Sequence, residues 1–520
     1  MTREETPRAP SYIRWAGTVS GLTLVSRILG LLRDVGMAAA FGSGVILDAF
    51  LLAFTLPNLL RKIFGEGALA SAFVPVYSAT LSREGREPAS RLARTVGTLL
   101  ATVLVLLVLV GVGICLLGIQ YGSPGEETRL ALRLSAIMAP YLFLVCFAAF
   151  LGSILNSHDR FLVPALPPVV FNLSWLLALA FLVPPLLESG GAYRAIHGLA
   201  AAVLVGGLCQ VGLQVPSVLR QIGPPRPRYA WSEPGVARIR KTMIPVVFGL
   251  AIFQLNVFAD RLIAWWLVPE EGAITVLYLA NRLVQFPLAL IALAVATAIF
   301  PSLSRQAAEG DRESVASLTR EALRLVLFLT LPAAAGLALL GTPVCSLFFE
   351  RGAFSSAASD RTGQVLLFYC LALPFLASIS ILTKTYHAQG DTRTPVRAGI
   401  VAVVIGLTGN LLLARPMGAP GLALATAAAA LVNLALLVRG SKKTLGPLWA
   451  STLPSSGLRT VGLTLISLIP AAALRQFGWP PLPTVAIGIP SAILLYLGLA
   501  AGTRNPEWTD LLRRLRRPDR

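Results

Sequence analysis

Ionisable side chains inside long apolar runs are the residues of this chain best placed to do chemistry. Arg27, Arg33 and Asp34 share one such run, Asp48, Arg61, Lys62 and Glu66 belong to the next, and Arg282 lies in another. On insertion scales a central Arg or Asp costs roughly 2.5–3.5 kcal/mol, so several together imply a wet interior or mutual pairing. Arginine stays charged and offers a planar fork of donors that suits phosphate oxygens. The implied ligand is an anion carrying a phosphate or pyrophosphate group. Arg27 and Asp34 fall on nearly the same helix face, whereas Arg27 and Arg33 differ by about 120° on an ideal helix. A bend at Gly30 would bring both guanidiniums toward one cavity. Pro57-Asn58 and Phe286-Pro287 are expected to interrupt their helices beside Arg61 and Arg282, an arrangement tolerated at depth only in protein or along a cavity. The competing assignment pairs Arg33 with Asp34 or Asp48 and lets Arg61 and Lys62 snorkel to the inner headgroups.

Catalysis has no comparable support. The sequence lacks a phosphate-binding glycine loop, a paired-histidine metal motif and a nucleophile elbow. His158, His197 and His387 are scattered, and the five cysteines sit in apolar runs without short paired spacings. The expectation is a protein that is not an enzyme and holds no metal and no cofactor.

The elements that must position these charges are membrane helices. Of 520 residues, 55% are hydrophobic and 13% charged, against roughly 25% charged in soluble domains. Apolar runs near 18–41, 45–64, 94–119, 130–153, 160–183, 195–219, 244–268, 272–301, 321–345, 362–386, 396–415, 419–438, 458–475 and 481–502 predict an all-α polytopic membrane protein with about fourteen spans. The net charge of +19 is not a nucleic-acid signature, because the basic residues cluster in alternate loops. Arg83, Arg86, Arg91 and Arg94 form one group, Arg226, Arg228, Arg238, Arg240 and Lys241 another, and Arg439, Lys442 and Lys443 a later one. The positive-inside rule then places both termini, with Arg3, Arg8 and Arg14 at the first, in the cytoplasm. The stretch Asn505 to Arg520 reads as an interfacial helix with Trp508 and Leu511 on its apolar stripe and Arg513, Arg514, Arg516 and Arg517 toward headgroups.

Two pairs of segments look duplicated. Ala139-Pro140-Tyr141 with Asn156 to Pro164 matches Leu373-Pro374-Phe375 with Ala388 to Pro395, and Ala72-Phe73-Val74-Pro75 matches Ala298-Ile299-Phe300-Pro301. The shared offset of roughly 230 residues suggests two six-helix lobes in the same orientation, plus two extra C-terminal helices, with a substrate site at the repeat interface. The expected division is 1–220 for the first lobe, 221–243 for a basic cytoplasmic linker, 244–440 for the second lobe, 441–503 for the added pair and 504–520 for the tail.

The block Ser26-Arg27-Ile28-Leu29-Gly30-Leu31-Leu32-Arg33-Asp34, with Asp48-Ala49-Phe50 and Leu56-Pro57-Asn58 through Gly65-Glu66-Gly67, closely resembles the MurJ (MviN) family of lipid II flippases, within the multidrug/oligosaccharidyl-lipid/polysaccharide exporter superfamily. The likeness extends through Ala280-Asn281-Arg282-Leu283, Pro301-Ser302-Leu303-Ser304 and Asp391-Thr392-Arg393-Thr394-Pro395. The resemblance implies a MATE-like fold in the bacterial cytoplasmic membrane. It also implies transport of undecaprenyl-pyrophosphate-linked peptidoglycan precursor from the inner to the outer leaflet by alternating access. It assigns Arg27, Arg33, Arg61 and Arg282 to the substrate cavity, Asp48 to a functionally important acid, Asp34 and Glu66 to motif positions, and the last two helices to a groove for the lipid tail. The implied partners are lipid II, membrane lipids and other cell-wall synthesis proteins. Asp260 matches an aspartate through which some relatives bind sodium, so coupling to Na+ or to membrane potential stays open. Thr55, Asn281 and Gln285 depart from residues common in relatives, which alters the cavity's charge balance. The alternatives are another polysaccharide-lipid flippase or drug exporter of the superfamily, and a non-transporting membrane scaffold whose basic loops recruit partners.

Overall fold

Backbone in hydrocarbon must satisfy its own hydrogen bonds, and the apolar runs do so as helices. The computed structural model describes residues 10–446 and 453–516, and every regular element among them is helical. Arg3, Arg8 and Arg517 lie outside the described residues, as do the side chains of Arg14, Glu66, Lys443, Arg514 and Arg516. The chain divides into two compact units at Phe258 and Ala259.

The first unit begins with α1 (Pro10–Phe41) and α2 (Val45–Leu60), which continues through a π-helical stretch (Arg61–Ala68) into α3 (Leu69–Glu84). Then come α4 (Arg86–Tyr121), α5 (Glu126–Asn156), the short α6 (Leu162–Ala165), α7 (Pro167–Leu177) and, beyond a second π stretch (Ala178–Leu182), α8 (Val183–Ile222). Helix α9 (Pro234–Leu267) carries the boundary. Helix α5 packs on α2, α4 and α8, and α1 on α7. Helix α4 instead leaves Leu106, Leu109, Val110 and Ile114 exposed, as a lipid-facing span requires.

The second unit repeats this order. Helix α10 (Ala273–Pro287) runs through a π stretch (Leu288–Leu293) into α11 (Ala294–Ala308), followed by α12 (Arg312–Leu339), the short α13 (Gly341–Phe349), α14 (Ser356–Ala388) and α15 (Arg393–Leu445). Helix α14 packs on α10, α11, α12 and α15, as α5 does on its neighbours. Ile299, Leu303, Leu323, Ile381 and Leu437 lie in the buried core there. Helices α16 (Leu453–Ser467), α17 (Ile469–Gln476), α18 (Pro481–Gly502) and α19 (Pro506–Arg516) complete the unit.

Ten helical runs among the described residues are long and apolar enough to cross a membrane. The fourteen expected spans differ from this figure for physical reasons. Two of the ten, Leu162–Ile222 and Arg393–Lys442, each contain a left-handed glycine, Gly191 (φ 68) and Gly418 (φ 61), where the chain turns between two helical segments. Neither α1 nor the α2–α3 run is among the ten. A Cβ at Gly418 would meet the Glu270 carboxylate, and its φ and ψ (61, −143) suit glycine alone. Gly418→Ala is expected to lose about 1–3 kcal/mol, read as a lower unfolding midpoint in detergent.

Other expectations are corrected in detail. Helix α1 passes through Gly30 unbroken, since glycine permits a bend without imposing one. Helices also run on through Pro57 and Pro287, and each is followed by a π stretch instead of the unwound backbone expected there. The C-terminal helix is not laid on headgroups alone: Glu507 is buried and accepts from the Ser456 hydroxyl at 2.6 Å, and Trp508 packs beside Phe328 and Tyr496. Of the cysteines, Cys146, Cys345 and Cys370 are buried, but Cys209 is exposed and Cys115 half-buried.

Candidate functional site

Helix α1 presents its two arginines differently. Arg27 is exposed. Arg33 is buried, and its Nε and Nη2 donate to Asp34 Oδ1 at 3.1 and 2.8 Å. Its Nη1 donates to Asn172 Oδ1 at 3.2 Å, and its guanidinium lies 4.5 Å over the Trp175 ring. The Asn172 amide in turn donates to the Ser26 carbonyl at 3.0 Å, so α7 clasps α1 next to Arg27. Trp175 belongs to an aromatic cluster with Phe50, Phe54 and Phe171, and Tyr141 stacks on Phe54 and Phe171. Arg33 therefore spends its donors inside the first unit. The pairing alternative describes it better than the substrate-contact one.

Arg61 opens the π stretch after α2. Its Nε and Nη2 both donate to Asn58 Oδ1, at 3.1 and 3.0 Å, and the side chain is half-buried. Asn58, expected as a helix break, acts instead as the orienting acceptor. Lys62 is exposed, as snorkelling requires. Asp48 is buried in the first turn of α2, where a carboxylate suits the positive end of the helix. Thr55 turns its hydroxyl back onto the Leu51 carbonyl at 2.6 Å.

In the second unit Arg282 is half-buried on α10, one turn before Pro287 and the π stretch. Asp260 accepts from the Asn410 amide at 2.6 Å, and the Asn410 Oδ1 is buried without a donor. Arg261 donates to the Ile274 carbonyl at 2.8 Å and lies 5.7 Å from the Tyr278 ring. Among the described residues no three His, Cys, Asp or Glu side chains gather as a metal cage. The structure thus brings together Arg33 with Asp34, and Arg61 with Asn58. Sequence reasoning missed Asn172, Trp175 and Asn410. The two asparagines had a visible signal, polar side chains inside apolar runs; Trp175 had none.

Comparison with known proteins places this arrangement. A family model described as the lipid II flippase MurJ matches residues 37–479. The chain belongs to the MurJ family. A probable lipid II flippase MurJ of Vibrio cholerae serotype O1 is 37% identical over 434 residues, covering 81% of each chain. A solved structure of the lipid II flippase MurJ in an inward closed conformation is 28% identical, covers 95% of this chain and 99% of its own, and superposes with a TM-score of 0.78. An inward-facing MATE family transporter of the MOP superfamily shares the fold, with a TM-score of 0.65 at 15% identity over 84% of this chain and 95% of its own. MurJ membership and the long apolar helices make this a multi-pass protein of the bacterial inner membrane. The MurJ match begins after Arg27, Arg33 and Asp34 and includes Asp48, Arg61, Asp260 and Arg282.

Proposed function

We propose that this chain is a lipid II flippase, carrying undecaprenyl-pyrophosphate-linked disaccharide-pentapeptide from the inner to the outer leaflet by alternating access, with both termini in the cytoplasm. The observation that carries the reading is the set of guanidiniums on membrane helices of a MurJ chain: Arg27 exposed on the unbroken α1, and Arg61 and Arg282 half-buried, each beside a proline and a π-helical stretch. Such groups bind a diphosphate through charge-assisted, forked hydrogen bonds. Arg33 and Asp34 hold the helix that presents Arg27. The polar head travels through the protein and the lipid tail stays in the bilayer, lying along the added helices α16–α18. An inside-negative potential favours outward movement of net negative charge by roughly 2.3 kcal/mol per charge per 100 mV. Arginines that move with the substrate reduce that drive.

We infer that a sodium ion would take the Asp260 carboxylate and, once the Asn410 amide turns over, the Asn410 Oδ1 that is buried without a donor. Sodium there would neutralise Asp260 and replace its hydrogen bond from Asn410 as the link between α9 and α15. The decisive experiment is a leaflet-specific assay of lipid II in cells depleted of their own flippase. Expressing this chain is expected to restore outer-leaflet lipid II, and failure with normal membrane insertion would reject the reading. Repeating the assay without sodium is expected to slow the wild type but not Asp260→Asn, whose basal rate is already reduced.

A further inference from the structure

Lys384 is a cation that no part of the cavity reading uses. It lies on α14 four residues from the Ala388 end, half-buried, beside the core residues Ile381, Leu382 and Tyr386. Its ammonium sits 4.9 Å from the ring centroid of Phe300 on α11. Among the described residues no carboxylate or carbonyl accepts from its donors. Attraction to an aromatic face offsets part of the desolvation of an ammonium, but it satisfies none of its three N–H groups.

The first unit offers a comparison at the contact between the corresponding helices. Counted from the helix prolines, Lys384 follows Pro374 of α14 by the ten positions that separate Phe150 from Pro140 of α5; counted from the helix ends, Ala388 and Asn156, its counterpart is Gly152. Phe150 is buried there and meets Phe73 of α3 edge to face, with centroids 5.1 Å apart. Phe73 precedes Pro75 as Ile299 precedes Pro301, one residue from Phe300. One unit therefore closes the contact between these two helices with an aromatic pair, and the other places a primary ammonium over an aromatic ring. In the first unit the contact between the two helices is closed by side chains that bury no charge.

We propose that Lys384, backed by Phe300, is an anion contact of the second unit that takes a phosphate oxygen of the lipid-linked substrate near the Ala388 end of α14. Among the described residues the fold offers its donors no acceptor, and the apolar neighbours Phe300, Ile381 and Leu382 strengthen a hydrogen bond from them to an anion. This rests on the flippase reading and adds to it a point of capture separate from the arginines.

The test is equilibrium binding of lipid II to the purified full-length protein, with Lys384→Phe, Lys384→Gln and Lys384→Arg compared alongside thermal unfolding. Phosphatidylglycerol and inorganic pyrophosphate serve as separate probes. Lys384→Phe and Lys384→Gln are expected to weaken lipid II binding at least about tenfold, while Lys384→Arg stays within about threefold, because a charge-assisted hydrogen bond is lost in the first two and kept in the third. The Phe variant is expected to unfold no earlier than wild type, following the example of Phe150, which separates lost binding from lost fold. Wild-type affinity in Lys384→Phe would overturn the proposal, as would a loss confined to phosphatidylglycerol, the mark of a lysine that merely reaches bulk headgroups. Wild-type protein that binds no lipid II at all would instead reject the flippase reading on which it stands.

Discussion

Alanine in place of Arg27 or Arg282 is expected to abolish delivery of lipid II to the outer leaflet while leaving the protein inserted and folded. Each substitution removes a charged fork from a membrane helix, and hydrogen bonds to charged groups contribute about 1.5–3 kcal/mol each. Losing two to a diphosphate therefore lowers transport by roughly a hundredfold or more. Insertion does not suffer, since a central arginine is itself unfavourable by roughly 2.5–3.5 kcal/mol. Lysine at either position is expected to restore only part of the activity, because it keeps the charge but not the planar fork. Arg61→Ala should fall between, its Nε and Nη2 being oriented by Asn58. The readout is surface lipid II against the abundance of each variant in the membrane. Normal transport in both Arg27→Ala and Arg282→Ala would remove the arginines from the mechanism.

Much of this architecture is written in the spacing of apolar runs. A run near twenty residues fixes a helix because nothing else satisfies its backbone in lipid. The duplicated prolines, Pro75 with Pro301 and Pro140 with Pro374, fall inside equivalent helices of the two units. Element ends were less legible. Helix α4 starts at Arg86, well before the apolar run at 94, since a helix continues past hydrocarbon wherever water or side chains can serve its end. The span expected at 458–475 is one of the ten runs able to cross a membrane, and within it α16 and α17 are divided before Pro470, whose ring has no N–H to continue the ladder. The π stretches were not legible, because proline removes a hydrogen bond without stating whether the helix unwinds or widens. The fate of each arginine was hidden for a different reason. Arg33 differs from Arg27 through Asn172, which is 139 positions away from it, and Trp175 beyond. Lys384 was hidden likewise, its ring partner Phe300 lying on another helix.

Arg33→Ala is expected to fail as a fold before it fails as a transporter. Asp34 is fully buried, and its Oδ1 accepts two of the Arg33 donors. Removing one partner of a buried ion pair costs about 3–5 kcal/mol, because the remaining charge has lost its compensation in a low dielectric. The same substitution leaves Asn172 Oδ1 and the Trp175 face without their cation, loosening the clasp of α7 on α1. The expected outcome is a marked drop in the unfolding midpoint in detergent and low abundance in the membrane, with lysine a poor substitute because three separate contacts use the guanidinium. Removing the pair as a whole should hurt less: Arg33→Leu with Asp34→Leu replaces two desolvated charges by apolar volume, an exchange that is often neutral. A single variant less stable than the double one identifies Arg33 as the residue that positions Arg27. A stable Arg33→Ala that binds no lipid II would return it to the ligand, and the hydrogen bonds to Asp34 and Asn172 would then belong to a state that substrate breaks.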